Sequence, residues 1–375
     1  MLNKVVLAVL AALLVAVPAA LAAPRSVPQG FFGVHMTPFF TAVADDAQDY
    51  QWDLMASSGV ESVRADFTWI TAQPRRGRPI DFSKTDGLVR RSALRGIDLL
   101  PVVTDAPRWA RAYRSRFKSP PRDPATFARY LGALVDRYGS KGTFWTANPD
   151  LPKRPVRDWQ IWNEPHLRLY WNAPVNSRWG HPGGYGRLLQ ASYRAVKSRD
   201  PGARVVLAGI TQRAWEELDE MYARGGIKGN FDVAALQIFP QTVKRSVLAT
   251  KLFRRALKRR GDGGKPIYLT EISWPASKGK TRRIRYLAHE TPRSMAFKLA
   301  RAYDTLAKQR RSLGLARVYW FTWASSYGRG GSVFNYSGLQ AFRDGQWTAQ
   351  PALGAFQRKA RQLQGCVKTV LGICE

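Results

Sequence analysis

Two glutamates in matching settings are the residues best placed to do chemistry. Glu164 follows the run Asp158-Trp159-Gln160-Ile161-Trp162-Asn163 and precedes Pro165-His166, and Glu271 follows Pro266-Ile267-Tyr268-Leu269-Thr270 and precedes Ile272-Ser273-Trp274-Pro275. Each is a short apolar run that delivers a carboxylate at its end and is then stopped by proline, which cannot continue a backbone ladder. One such Glu alone reads equally well as a solvated strand-to-loop turn. The pair points to glycosidic bond cleavage, where one carboxyl group protonates the leaving oxygen while the other attacks the anomeric carbon or activates water. The four histidines, His35, His166, His181 and His289, have no metal-ligand spacing, and the chain holds no serine-centred elbow or phosphate loop, so no cofactor is expected.

The elements that must position these carboxylates alternate along the chain. Strands are expected at Phe31–His35, Val60–Asp66, Ile97–Val103, the Glu164 run, Arg204–Ile210, Phe231–Phe239, the Glu271 run and Arg317–Trp323. Helices are expected between them. The clearest opens at Asp123-Pro124, with Asp as cap and Pro in the first turn, and carries Phe127, Leu131, Leu134, Val135 and Tyr138 on one face before Gly139. Another shows Val247, Leu248, Leu252, Phe253 and Leu257 inward and Lys251, Arg254, Arg255, Lys258 and Arg259 outward, a pattern that suits a solvated outer face better than a polymer-binding one. Eight strands alternating with helices predict a single-domain α/β fold, the (β/α)8 TIM barrel. In that architecture the active site lies at the C-terminal ends of the strands, so Glu164, Glu271, Arg64, Gln237, Phe239 and Trp323 should all face one mouth.

At these residues the chain resembles glycoside hydrolase clan A, the barrel enzymes whose acid/base and nucleophile are glutamates ending strands four and seven. Trp162-Asn163-Glu164-Pro165 is similar to the acid/base motif, and Thr270-Glu271 followed by Ser273-Trp274 is similar to the nucleophile strand. Arg64 in Val63-Arg64-Ala65-Asp66, Trp69 with Pro74, and Pro107-Arg108-Trp109-Ala110 resemble the cellulase-like family five and the xylosidase-like family thirty-nine. The resemblance implies a retaining double displacement, with Glu164 as general acid and then base and Glu271 as nucleophile. It further implies that Asn163 binds the sugar 2-hydroxyl, that Arg64 keeps Glu271 ionised, that Trp323 forms an apolar floor, and that Gln237, Trp109 and Trp274 line the substrate site. Strand six departs from the pattern. Where those enzymes commonly carry a His and then a Tyr, this chain has Gln237 and Phe239. That departure keeps a non-catalytic glycan-binding relative of the same fold open as an alternative, and a transglycosylase would carry the same chemical groups.

The ends and the charge of the chain bound its setting. Lys4 followed by an apolar run from Val5 to Ala23, with Pro18 near its end, reads as a secretory signal peptide over residues 1–22, cleaved near Ala22-Ala23. Residues 23–364 are then the catalytic domain and 365–375 a C-terminal tail, in which Cys366 and Cys374 are expected to form a local disulfide after export. With 59 Lys and Arg against 27 Asp and Glu the formal net charge is +32. Export and the lack of any nucleic-acid motif argue against nucleic acid, so the expected partner is a polysaccharide or glycoconjugate, with an anionic one or an acidic cell surface suiting the charge. Compositional bias toward arginine on solvated faces would read the same way. A monomer is expected.

Overall fold

The structure, a computed structural model, describes residues 24–37, 43–327 and 331–365, together with the backbone of 369–370 and 373–374. The expected leader over residues 1–22 and the Cys366–Cys374 pairing lie outside the described residues. Eight parallel strands form one sheet: β1 (Phe32–Met36), β2 (Ser62–Thr68), β3 (Asp98–Thr104), β4 (Asp158–Ile161), β5 (Arg204–Val206), β6 (Ala234–Ile238), β7 (Ile267–Ile272) and β8 (Leu315–Trp320). Their order is β5-β4-β3-β2-β1-β8-β7-β6, and the bridges Val206↔Val233 and Ile210↔Leu236 join β5 to β6 and bring the sheet round into a barrel. The helices α1 (Asp45–Ser57), α2 (Trp69–Ala72), α3 (Ser83–Leu94), α4 (Pro124–Tyr138), α5 (Thr143–Ala147), α6 (Gly183–Arg199), α7 (Ala214–Gly225), α8 (Val243–Arg259), α9 (Pro292–Leu313) and α10 (Pro351–Gln364) lie in the connections and after the last strand. The (β/α)8 expectation from the alternating sequence is therefore met.

Local chemistry explains the helix ends. Asp123 caps α4 by accepting from Ala125 N–H, and Thr291 caps α9 by accepting from Ser294 N–H, each with proline in the first turn, where its missing N–H costs nothing. Gly226, Gly314 and Gly365 end α7, α9 and α10 in the left-handed conformation, which glycine adopts without a Cβ penalty. The five α4 positions expected to face inward, Phe127, Leu131, Leu134, Val135 and Tyr138, are all buried.

The barrel interior is filled in layers. Leu100, Val206, Ala235, Tyr268 and Tyr319 pack in its waist. Below them, Asp158 accepts from Arg204 Nε (2.6 Å) and Tyr268 Oη (2.9 Å), and Arg317 pairs with Asp98 (3.0 Å), so the charges closing the bottom are mutually satisfied. The layer above the waist carries the candidate chemistry.

Several strand expectations are too long. β5 stops at Val206 instead of Ile210, β6 spans Ala234–Ile238 instead of Phe231–Phe239, and β8 ends at Trp320 instead of Trp323. After β5 and β8 the apolar run continues past the ladder because the βα loops are themselves largely buried, whereas at β6 the excess is mostly the buried Phe231 and Val233 that precede the ladder. The α8 pattern needs two corrections. Leu248, expected inward, is 53% exposed. Arg254, expected outward, is buried at 5% and donates to the carbonyls of Leu313, Gly263, Lys265 and Gly314 at 2.8–3.1 Å. A guanidinium can enter the interior here because otherwise unpaired backbone oxygens at the α9–β8 and α8–β7 connections accept its protons.

Candidate active site

Strand alternation alone does not aim the two carboxylates inward. On β7, Tyr268 faces the barrel interior, so strict alternation would turn Glu271 toward the helices. A register shift intervenes: Leu236 pairs with Leu269, but Gln237 pairs with Glu271, leaving Thr270 as the extra residue. This bulge re-aims Glu271 into the mouth beside Gln237, the usual use of a bulge next to an active site. On the other side β4 ends at Ile161, and Trp162 and Glu164 take positive φ values of 68° and 41°. That turn sends the Trp162 ring outward against Phe127 and Trp171 and swings Asn163 over the barrel. Left-handed backbone at non-glycine residues costs about 1–3 kcal/mol each and persists only where the surroundings impose it. Here Glu164 N–H donates to Gly209 O (3.2 Å) and Leu167 N–H to Glu164 O (2.9 Å).

Arg64, 1% exposed, is the hub. It donates Nε to Gln160 Oε1 (2.7 Å), Nη1 to Glu271 Oε1 (2.7 Å) and Nη2 to Asn163 Oδ1 (2.8 Å). Gln237 Nε2 donates to the same two acceptors, Glu271 Oε1 at 2.8 Å and Asn163 Oδ1 at 2.9 Å. One oxygen of Glu271 is therefore held by two donors, and Oε2 has no hydrogen-bond partner among the described residues. Asn163 spends its oxygen on Arg64 and Gln237, which leaves its NH2 group as a donor for a ligand. Neither oxygen of the Glu164 carboxyl group has a hydrogen-bond partner among the described residues.

The two carboxyl groups differ in environment and so in proton affinity. Burial and the neighbouring Glu271 charge push Glu164 up to about 8, with Arg64 opposing. Burial also raises Glu271, to about 7, but the Arg64 charge and hydrogen bond pull against it. Glu271 is the first of the pair to ionise, and Glu164 keeps its proton longer. Asp66 and Tyr170 sit in the same field, and burial raises the proton affinity of both. Burial and Arg64 hold His35 well below its usual value, neutral against the stacked Phe321 ring at 5.0 Å.

The structure gathers Glu164, Glu271, Asn163, Arg64 and Gln237 into one constellation and sends the three tryptophans elsewhere. Trp323 is fully buried and donates Nε1 to Gln51 of α1 (2.8 Å), so it packs between barrel and helix and forms no floor. Trp274 is fully buried beside Trp320. Trp109 stands at the rim, with Nε1 on Gln73 O (3.0 Å) and its ring edge-on to Trp69. The aromatic group at the mouth is Phe321, which meets Phe239 (5.6 Å) and Phe334 (5.8 Å) edge to face. Periodicity points to Phe321 only if β8 is ended at Trp320, and nothing in the apolar run marks that end. Gln160 was also missed: a Gln inside a buried strand is the signal, because its amide must find partners, and here it accepts from Arg64 and donates to Leu207 O (3.1 Å). His166 lies 6.4 Å ring to ring from His181, which contacts Glu217 (2.5 Å) away from the constellation. Among the described residues no group of three or more His, Cys, Asp or Glu is arranged to hold a metal ion.

No family model matches the chain, and no curated protein matches it in sequence. Solved structures do match in fold. A family 39 glycoside hydrolase from the gut symbiont Bacteroides cellulosilyticus WH2 superposes with a TM-score of 0.63 at 19% identity over 90% of this chain, which spans 64% of that enzyme's length. A GH39 β-xylosidase from Caulobacter crescentus gives 0.64 at 18% identity over 90% of this chain and 72% of its own. A GH5_18 protein from Streptomyces cattleya, in complex with Manβ1-4GlcNAc, gives 0.63 at 18% identity over 93% of this chain and 82% of its own. The structural neighbours are thus glycoside hydrolases of families 39 and 5, both of clan A, and the shared feature is the barrel.

Proposed function

We propose that the protein is a glycoside hydrolase that cleaves O-glycosidic bonds of a polysaccharide or glycoconjugate by a retaining double displacement, exported by the leader at residues 1–22. The observation that carries this reading is the inequality of the two mouth carboxyl groups: Glu271 is held by Arg64 and Gln237, whereas Glu164 is buried with no partner among the described residues. The first suits a nucleophile that must be anionic, and the second an acid that must keep its proton near neutral pH. In the first step Glu271 Oε2 attacks the anomeric carbon, the glycosidic C–O bond breaks, and the Glu164 proton passes to the leaving oxygen. Esterification removes the Glu271 charge, which lowers the proton affinity of Glu164. Glu164 then takes a proton from water, whose oxygen attacks the anomeric carbon and releases Glu271. The Asn163 NH2 group is placed to donate to the sugar next to the scissile bond. Gln237 stands where the resembled families commonly carry a histidine, and it supplies a neutral donor to Glu271 in place of one that can be charged.

The test is reducing-sugar release from a panel of neutral and acidic polysaccharides by the mature protein, with the anomeric form of the first product read by NMR. Retention is expected, with rate lost by about a thousandfold or more in Glu271→Gln. An inverted first product would remove Glu271 as nucleophile. No hydrolysis of any substrate, with undiminished glycan binding by both Glu→Gln variants, would replace the reading with a binding protein.

A further inference from the structure

Beside the mouth lies a second cavity of about 600 Å³ that the chemistry above does not use, walled by Trp69 and Trp109 where the chain leaves β2 and β3, and closed by the first turns of α4. Arg76, Arg114, Arg122 and Arg129 line it, all exposed, and none is in an ion pair among the described residues. The one acidic side chain in the lining, Asp123, caps α4 by accepting from Ala125 N–H (2.9 Å) and Thr126 Oγ1 (2.8 Å) and offsets part of the Arg129 charge, which leaves the four arginines in excess. Other arginine clusters are compensated by carboxylates: Arg91 and Arg95 pair with Asp45, Asp49 and Asp53, and Arg259 and Arg260 with Asp219. Four like charges around one concavity repel one another, and a bound anion is what would relieve them. The Trp109 ring is pinned by its own N–H to Gln73 O and by edge contact with Trp69 at 5.2 Å, so it offers a rigid apolar plane at little entropic cost. Its two wall loops follow β2 and β3, the former of which carries Arg64, and Ile70 N–H donates to Asp105 O (2.8 Å), tying those loops together at the strand ends.

We propose that this cavity is a subsite for an acidic sugar, so that the substrate is a polyanionic glycan, carboxylated or sulfated, with one residue at Glu164 and Glu271 and another seated here. The inference rests on the glycosidase reading for its place in the reaction. Its binding chemistry stands apart from catalysis. A sugar ring presents an apolar C–H face to Trp109, and its carboxylate or sulfate oxygens meet the planar, multiply donating guanidinium groups. A neutral sugar would leave the four arginines as they are and gain only the stacking.

The experiment is calorimetric titration of the mature Glu271→Gln protein with an oligogalacturonate and with a neutral xylo-oligosaccharide of the same length, at low and high salt. The oligouronate is expected to bind and the neutral sugar to bind at least about tenfold more weakly. Arg114→Ala with Arg129→Ala should weaken oligouronate binding about tenfold or more, whereas Lys251→Ala with Arg255→Ala, on the exposed face of α8, should change it by less than about twofold. Trp109→Ala adds the stacking test, and because that ring is half-buried the surface arginine pair carries the result should the Trp109 variant unfold. Equal losses from the two cation pairs would mean diffuse attraction and overturn the subsite, as would equal affinity for the neutral sugar. A sulfated oligosaccharide in a further arm distinguishes the two anion types. Should no polysaccharide be cut, the glycosidase reading falls while the binding result is read unchanged.

Discussion

The pair Glu164 and Glu271 sets the pH behaviour of the site. Under the proposed double displacement, hydrolysis needs Glu271 ionised and Glu164 protonated, so the rate should rise as Glu271 loses its proton near 7 and fall as Glu164 does near 8, a narrow bell whose two apparent values belong to the coupled pair. In Glu164→Gln the basic limb should disappear, measured on a substrate whose leaving group needs no protonation; a basic limb that persists would assign it to another residue. The same shift is a stability statement. A carboxyl group whose folded value lies above its unfolded one loses stabilisation as pH rises from the unfolded value toward the folded one, so above a pH of about 8 Glu164→Gln should melt at a higher temperature than the wild type. Arg64 has the opposite sign. Arg64→Met leaves Glu271 buried without its cation and should cost about 3–5 kcal/mol in denaturant unfolding, while driving Glu271 toward its protonated form and activity toward zero.

At the scale of elements, two local breaks in regularity bring the chemistry together. The bulge at Thr270 faces Glu271 inward, and the left-handed turn through Trp162 and Glu164 presents Asn163 and Glu164 at the end of β4. The chain passing Gln237 from β5 must come close, and Gly209 permits it: a Cβ there would lie 2.5 Å from the Gln237 carboxamide. Gly209→Ala should therefore displace Gln237 from Glu271 and lower kcat by about tenfold or more with a melting change of only a few degrees, a split that a purely structural role would not produce. On α8, Arg254 stitches the helix to the turns before β7 and β8. Arg254→Met should cost about 3 kcal/mol in denaturant unfolding with kcat unaltered in the folded fraction, because several buried carbonyls lose their donor far from the mouth.

Over the whole molecule, the +32 charge is unevenly compensated. The arginines of α3 and of the α8 C-terminus face carboxylates, whereas those of the β2 and β3 loops, and Lys278, Lys280, Arg282, Arg283 and Arg285 between β7 and α9, are in no ion pair among the described residues. A predominantly basic rim steers and holds an oppositely charged chain through interactions that salt screens, with a Debye length of about 8 Å at physiological ionic strength. Accordingly kcat/KM on an acidic polysaccharide should fall steeply as salt is raised, whereas a neutral aryl glycoside, too small to reach the loops, should show little change.

The amino-acid sequence by itself determined the barrel, because eight apolar runs alternating with capped amphipathic segments have one common way to bury their faces, and barrel topology then brings strand-end residues to a single mouth. Glu164, Glu271, Asn163, Arg64 and Gln237 were legible for that reason: each is a polar group at the end of an apolar run. The directions in which side chains point were decided only in three dimensions. Trp323, Trp274 and Trp109 have the composition of a sugar platform, yet two are core and one belongs to the rim, since an aromatic ring gains as much from packing between barrel and helix as from lining a cleft. The phase of β7 could not be read either. A single extra residue reverses which face Glu271 takes, and that residue is tolerated only because Gln237, Arg64 and the neighbouring strands receive the carboxylate there.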